Sequence, residues 1–491
     1  MSLRHPKPIQ KAQVAKSADW FAVIWILLIS ITTALVYGSS LEFFFSQDDF
    51  VFLVRAARVG SWGDLVSSFL MADQFYRPVP RTVVFTGLFK LLGLNARAFH
   101  LVSLGLHAAN GILFFLLYRR LFPGKRYLPG ISGLAFAGHQ IPFLAVYWVS
   151  GIQDLCVTTF LLLSLHFYLK SGDSEAIPWR ILSLLTYALG LLSKEIAITF
   201  PAILLLVELI GQFRCRERFS LADSMRKLLS YGLLVAGYLL LRASKSPEFL
   251  PSEGPYSWSM SPTIVLDNLW TYVCDALYLR DWLNAVPQQA CGLCLVLLAV
   301  LIVSALLSRR GWVALLLGTG WFVISLLPVL FLTERTYSFY AYFSLGGIAL
   351  VLAVPADMLL SHVGHRSLRV RHSVEPTCGL SDLATALFIA TWLWFSVSQI
   401  KAEEVRDPAG IISKSIAARE ALTEIQTLYP ELPRDSTLYV TALTDRDIWA
   451  FGHGDLFRLY YPQTKVIISP EEDLAPVSDA TAFVYRFRKS E

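Results

Sequence analysis

Apolar runs of roughly 18 or more residues recur along most of this chain, divided by short polar segments. The first, Trp20 to Tyr37, follows a polar stretch carrying Arg4, Lys7, Lys11 and Lys16. Basic residues mark the cytoplasmic side of a membrane chain. Residues 1–18 therefore read as a cytoplasmic N-terminal segment, and the first run leads outward. Later runs are His100–Tyr118, Tyr127–Val146 and Leu155–Leu169, then a hairpin of two turning outside at Ser193-Lys194-Glu195. Four more end near Arg242, at Arg309-Arg310, at Thr333-Glu334-Arg335 and before Arg366, and the last is Leu383–Ile400. The pattern predicts about eleven transmembrane helices within residues 19–400, N-terminus inside and C-terminus outside. Thr82–Leu94 is apolar but short for a span, so it reads as an interfacial helix on a long first outer loop, residues 39–97. Thr263–Tyr278 reads as a surface helix on another outer segment.

The pattern changes after residue 400. Ile411 to Leu428 is a helical stretch, whereas Ser436 to Val440, Lys465 to Ile468 and Ala482 to Tyr485 have strand composition. Asp447 to Tyr461 is a helix or a bent strand. Residues 401–491 are expected to form a small extracytoplasmic α/β domain.

Composition agrees with a polytopic α-helical membrane protein. Of 491 residues, 55% are hydrophobic and only 16% charged, against about 25% charged in soluble domains. The net charge of +5 is spread over short loops and reports orientation, not nucleic-acid binding. Every strong basic cluster between spans falls inside, including Arg119-Arg120 with Lys125-Arg126 and the run from Arg214 to Lys227. Six cysteines show no disulfide spacing, and Cys291 and Cys294 read as small apolar helix residues.

This topology gathers the polar residues on one side. Asp48, Asp49, Arg77, Arg81, Asp154, Lys194, Glu195, Glu334 and Arg335 all lie at outer span ends or in outer loops. A transporter places ionisable groups near the bilayer midplane. A one-sided set of acids and bases instead suits an enzyme that meets a membrane-bound substrate at the outer surface. A carboxylate there can take the proton of an acceptor hydroxyl, and Lys194 and Arg335 suit a leaving phosphate. Together they suggest glycosyl transfer from a lipid phosphate; the alternative is a transporter or flippase of lipid-linked saccharide. Each residue also has a plainer role. Asp48, Asp49 or Asp154 can cap a helix, and Lys194-Glu195 can be hairpin-tip charges. Arg77 can mark a turn before Pro78, and Tyr337, Tyr340 and Tyr342 can form an aromatic belt. His107 reads as a packing histidine, and His139 divides evenly between packing and site.

Four stretches carry a family resemblance: Gln47-Asp48-Asp49-Phe50; Phe75-Tyr76-Arg77-Pro78 through Leu92-Gly93-Leu94-Asn95 to His107 and Asn110; Gly138-His139 through Trp148-Val149-Ser150-Gly151 to Asp154; and Leu192-Ser193-Lys194-Glu195 with Pro201. Leu327-Pro328 with Glu334-Arg335 and Tyr337 adds a weaker match. In this order they resemble the GT-C superfamily of polyprenyl-phosphate-sugar-dependent glycosyltransferases. The nearest likeness is to the membrane part of the TPR-containing O-mannosyltransferases and their bacterial relatives. The resemblance implies an inverting transfer from a polyprenyl-phosphate sugar donor to a protein, lipid or glycan acceptor. The compact chain without disulfide spacing favours the bacterial inner membrane, with the endoplasmic reticulum membrane as the alternative. The resemblance also implies Asp48 as catalytic base with Asp49 in support. Asp154 would place the donor or a divalent metal (Mg or Mn), and Lys194 and Arg335 would hold the phosphate. Glu195, Arg77 and His139 fall in the same matched stretches and are likewise expected to bind the donor or its phosphate. Two features depart from the family: a glutamate of the third stretch is replaced within Pro142-Phe143-Leu144, and the short α/β tail stands where the family has TPR repeats.

Overall fold

Among the described residues of the computed structural model, seven helices are long and apolar enough to cross a membrane: Trp20–Glu42, Ala96–Leu121, Val149–Gly172, Glu195–Phe213, Gly311–Leu330, Leu345–His362 and Leu383–Arg406. The structure describes residues 8–72, 75–174, 176–215, 220–245, 253–254, 256–279, 311–370, 380–471 and 481–487, with 296, 299–300 and 303 between them. Cys291, Cys294 and the end of the expected eighth span at Arg309-Arg310 lie outside the described residues. Two shorter apolar helices, Leu128–Ala137 and Ile177–Leu191, pack against the long ones.

The expected third span, Tyr127 to Val146, is broken. The helix Leu128–Ala137 stops, and a second short helix, Phe143–Tyr147, resumes beyond residues 138–142. Pro142 has no N–H to continue the ladder. Gly138 lies so close to the last long helix that a Cβ there would come within 2.6 Å of Ser396 Oγ. In place of helical bonds, His139 Nδ1 accepts from the Ile141 N–H at 3.1 Å, and its Nε2 lies 3.1 Å from the Ala276 carbonyl. His139 is thus a fully buried packing residue that secures the break. The stretch expected to lie at the interface opens with a π-helical turn, Val79–Val84, and continues as the helix Phe85–Leu92.

The tail forms a parallel three-stranded sheet of β1 (Thr437–Thr441), β2 (Lys465–Ile468) and β3 (Ala482–Arg486), in the order β2-β1-β3. Leu438 is level with Val466 on one side and Phe483 on the other. The stretch Asp447 to Tyr461 is resolved into two short helices, Asp445–Ala450 and Asp455–Tyr460, beside the longer Ile411–Leu428. Leu438 and Val440 of the central strand are fully buried. They share one apolar core with Phe451, Phe457 and Tyr485 of the tail and with Phe45, Phe50 and Phe99 of the membrane region. Burying such rings is worth about 1.5–3 kcal/mol each, so this core holds the tail on the loop that follows the first long helix.

Candidate active site

The loop after the first long helix carries a short helix, Asp48–Arg58, entered at Gln47 with φ 55°. Apolar residues on this helix, Phe50, Leu53 and Val54 among them, are buried, and its two acids diverge. Asp49 turns inward: one oxygen accepts from the Ser46 N–H at 2.9 Å, the other from the Ser150 N–H at 2.7 Å and from the Ser150 hydroxyl. Burial pushes its carboxyl up to about 7, against the lowering effect of those donors. Asp48 faces a cavity of about 980 Å³.

Three further segments line the same cavity. The Arg77-Pro78 stretch is tied to the hairpin tip by a backbone bond from Val79 N–H to the Leu192 carbonyl at 3.2 Å. This brings Arg77 onto Glu195 as a fork: Nε lies 3.1 and 3.0 Å from the two carboxylate oxygens, and Nη2 2.6 Å from one of them. Arg242 joins the same carboxylate at 3.3 Å. Gln153 Oε1 accepts from Arg77 Nη1 at 3.0 Å and from Arg81 Nε at 3.1 Å. Lys194 Nζ lies 2.6 Å from both oxygens of Asp154, and both residues are buried. The ammonium also sits 4.9 and 5.1 Å from the ring centroids of Phe339 and Tyr340. Arg335 donates to the Tyr256 hydroxyl at 2.9 Å and lies over the Tyr256 ring.

Of the outer-face residues named from sequence, Asp48, Arg77, Arg81, Asp154, Lys194, Glu195 and Arg335 line this one cavity, whereas Asp49, Glu334 and His139 do not. Glu195 is a partner for two arginines, not a group held ready for phosphate. His107 is packed, with Nδ1 2.7 Å from the Tyr342 hydroxyl and Nε2 3.2 Å from the Ala137 carbonyl. Sequence reasoning missed Gln153, Arg242 and Tyr256, as well as the tail residues Lys414 and Trp449, all on the cavity wall. For Arg242 a signal existed, because the expected topology ends its span on the outer face. For Lys414 and Trp449 there was none.

The donor set does not suit the divalent metal that the resemblance allows at Asp154. Both oxygens of Asp154 are taken by an ammonium, and Glu195 is closed by two guanidinium groups. A hard cation needs several oxygen ligands converging; among the described residues no group of three or more His, Cys, Asp or Glu is so placed.

Comparison with known proteins bears on this arrangement. The human Protein O-mannosyl-transferase TMTC2 is 29% identical over 252 residues, 46% of this chain and 30% of its own length. The mouse protein of the same name gives the same figures. Over that stretch the chain is similar to protein O-mannosyltransferases. The likeness supports the resemblance to polytopic glycosyltransferases drawn from the motifs, and this chain spans less than a third of those relatives' length. No family model matches the chain. The crystal structure of the Archaeoglobus fulgidus oligosaccharyltransferase, a complex with Zn and sulfate, superposes with a TM-score of 0.46 at 14% identity. That match covers 92% of this chain and 62% of the other.

Proposed function

We propose that this protein is a multi-pass membrane glycosyltransferase that moves a hexosyl or pentosyl group from a polyprenyl-phosphate donor to an acceptor hydroxyl at the extracytoplasmic face. The observation that carries the reading is one cavity lined by both an acid and cations: Asp48 together with Lys194, Arg77 and Arg335. The apolar side chains Leu239, Ile324, Leu327 and Phe331 line the same cavity. Leu327 and Val323 also face outward from the helix Gly311–Leu330, which gives an isoprenoid chain an apolar route from the bilayer to the site.

In this reading the acceptor oxygen attacks the anomeric carbon on the face opposite the phosphate. Its proton passes to the Asp48 carboxylate. The bond from anomeric carbon to phosphate oxygen breaks, and its electron pair leaves with the phosphate. A single displacement inverts the anomeric centre, and the sugar passes through an oxocarbenium-like state. Fixed positive charge at the departing oxygens favours that state over the ground state. Arg335 supplies it best, because a guanidinium carries five N–H donors and one is given to Tyr256. Lys194 adds a weaker field, since Asp154 offsets its charge.

The test is transfer from a polyprenyl-phosphate-linked sugar by purified protein. Asp48→Asn is expected to lower kcat by about 10²–10⁴-fold with an unchanged thermal midpoint. Full activity in that variant would remove Asp48 as the base. A purified protein that moves the lipid between leaflets without cleaving it would favour the flippase reading instead.

A further inference from the structure

The wall beside Asp48 belongs partly to the tail. Ala409, Ile411, Lys414 and Trp449 line the cavity. They come from the 3-10 turn Pro408–Gly410, the helix Ile411–Leu428 and the short helix Asp445–Ala450. These are helix and turn residues, so neither edge strand of the tail sheet offers its backbone here to an extended peptide. Trp449 is 47% exposed, although tryptophan is costly to leave open, and its ring meets His453 at 4.9 Å in an edge-on contact.

Polar groups line the same cavity as this aromatic. Lys414 Nζ donates to Gln47 Oε1 at 3.3 Å and to the Ala409 carbonyl at 2.8 Å. The first bond fixes which end of the Gln47 amide is oxygen. The amide nitrogen, Nε2, is left buried with no hydrogen-bond partner in the protein. That nitrogen is closed to solvent, so Lys414 is the donor on the cavity wall. A flat aromatic face and an ammonium donor on one cavity wall suit a sugar ring: its polarised C–H face lies on the negative face of the indole, and its hydroxyls accept at the edge.

We propose that the tail builds the acceptor subsite of this enzyme and that the acceptor is a carbohydrate. Its ring stacks on Trp449, a hydroxyl accepts from Lys414 Nζ, and a neighbouring hydroxyl is delivered to Asp48. The word acceptor rests on the glycosyl-transfer reading above; the sugar-binding surface does not.

Saturation-transfer NMR on the full chain in nanodiscs, with short oligosaccharides ending in mannose, galactose, N-acetylhexosamine or pentose, tests this directly. At least one is expected to bind the wild type, about tenfold more weakly to Trp449→Ala and nearly normally to Trp449→Phe. Matched thermal midpoints separate lost binding from lost folding, and the phenylalanine variant keeps the test valid if alanine unfolds the tail. Binding that ignores both substitutions, or no saccharide bound at all, overturns the proposal. So does a Ser/Thr peptide that binds through Trp449 where sugars do not. Trp449-dependent sugar binding in a protein that transfers no sugar from any lipid phosphate would uphold the subsite while overturning the transferase reading.

Discussion

Asp49 is buried behind a cavity wall that Asp48 and Ser150 line, Asp154 is buried on the cavity wall itself, and the two are held in opposite ways. Asp49 is held by neutral donors: two backbone N–H groups and a serine hydroxyl. Asp154 is held by an ammonium on both oxygens. Neutral donors leave a carboxylate able to take up a proton without losing its place; an ammonium partner locks the charge in. The wall in front of Asp49 is therefore a hinge of hydrogen bonds between loop and membrane helix, whereas the wall around Asp154 is an electrostatic clamp. In the proposed reaction the base Asp48 works beside the first, and the phosphate sits beside the second.

The strongest challenge to that contrast is to remove one charge from the clamp. Lys194→Met leaves Asp154 buried without its counter-charge, which costs about 3–5 kcal/mol. A large drop in the thermal midpoint in detergent is expected. The double variant Lys194→Met with Asp154→Leu should recover most of it, because a buried pair replaced on both sides by apolar groups is close to neutral. If the double variant is no more stable than the single one, Lys194 is held by something other than Asp154.

A smaller effect probes the hinge from the tail side. Gly452 has φ 56°, and a Cβ there would meet the Gln47 carbonyl oxygen at 2.8 Å and Phe50 Cβ at 3.0 Å. Both neighbours are hemmed in, because Gln47 N–H donates to the Ala450 carbonyl at 3.2 Å and Phe50 lies in the shared core. Gly452→Ala is expected to cost about 1–3 kcal/mol and to lower transfer by displacing the start of the Asp48 helix. An unaltered midpoint would show that the tail rides loosely on the loop.

How far these two walls could be read in advance differs. The sidedness of the cavity was legible, because basic residues in short loops add up along the chain whatever the packing, and that argument put Asp48, Arg77, Asp154, Lys194 and Arg335 at one end. Their pairing was not. Asp154 and Lys194 are 40 positions apart, and Arg77 and Glu195 are 118 apart; hydropathy says nothing about which helix ends touch. The break at residues 138–142 was hidden inside a run apolar enough for a span, and only the partners of His139 show why it stops there. Lys414 meets Gln47 across 367 positions, a contact that depends on how a soluble layer docks on a membrane layer. The resemblance supported Asp48 over Asp49, and the geometry adds a reason: Asp49 is already occupied in holding the loop.

The smallest effect at neutral pH is the most specific to the hinge. The Asp49 carboxyl titrates near 7 in the folded protein, raised from an ordinary value of 3.8 by burial. Between those values the folded state holds a proton that the unfolded chain has released, so stability falls as pH rises from about 4 to about 7 and levels off above. Asp49→Asn cannot ionise, and its slope over that window should vanish. It keeps an acceptor for Ser150 or for Ser46 but not for both, so near pH 7 the net change is about 1 kcal/mol. Thermal midpoints measured from pH 4 to 8 on both proteins decide the matter. Parallel curves would mean that Asp49 stays ionised throughout and that the hinge is held by charge after all, which would erase the distinction between the two walls.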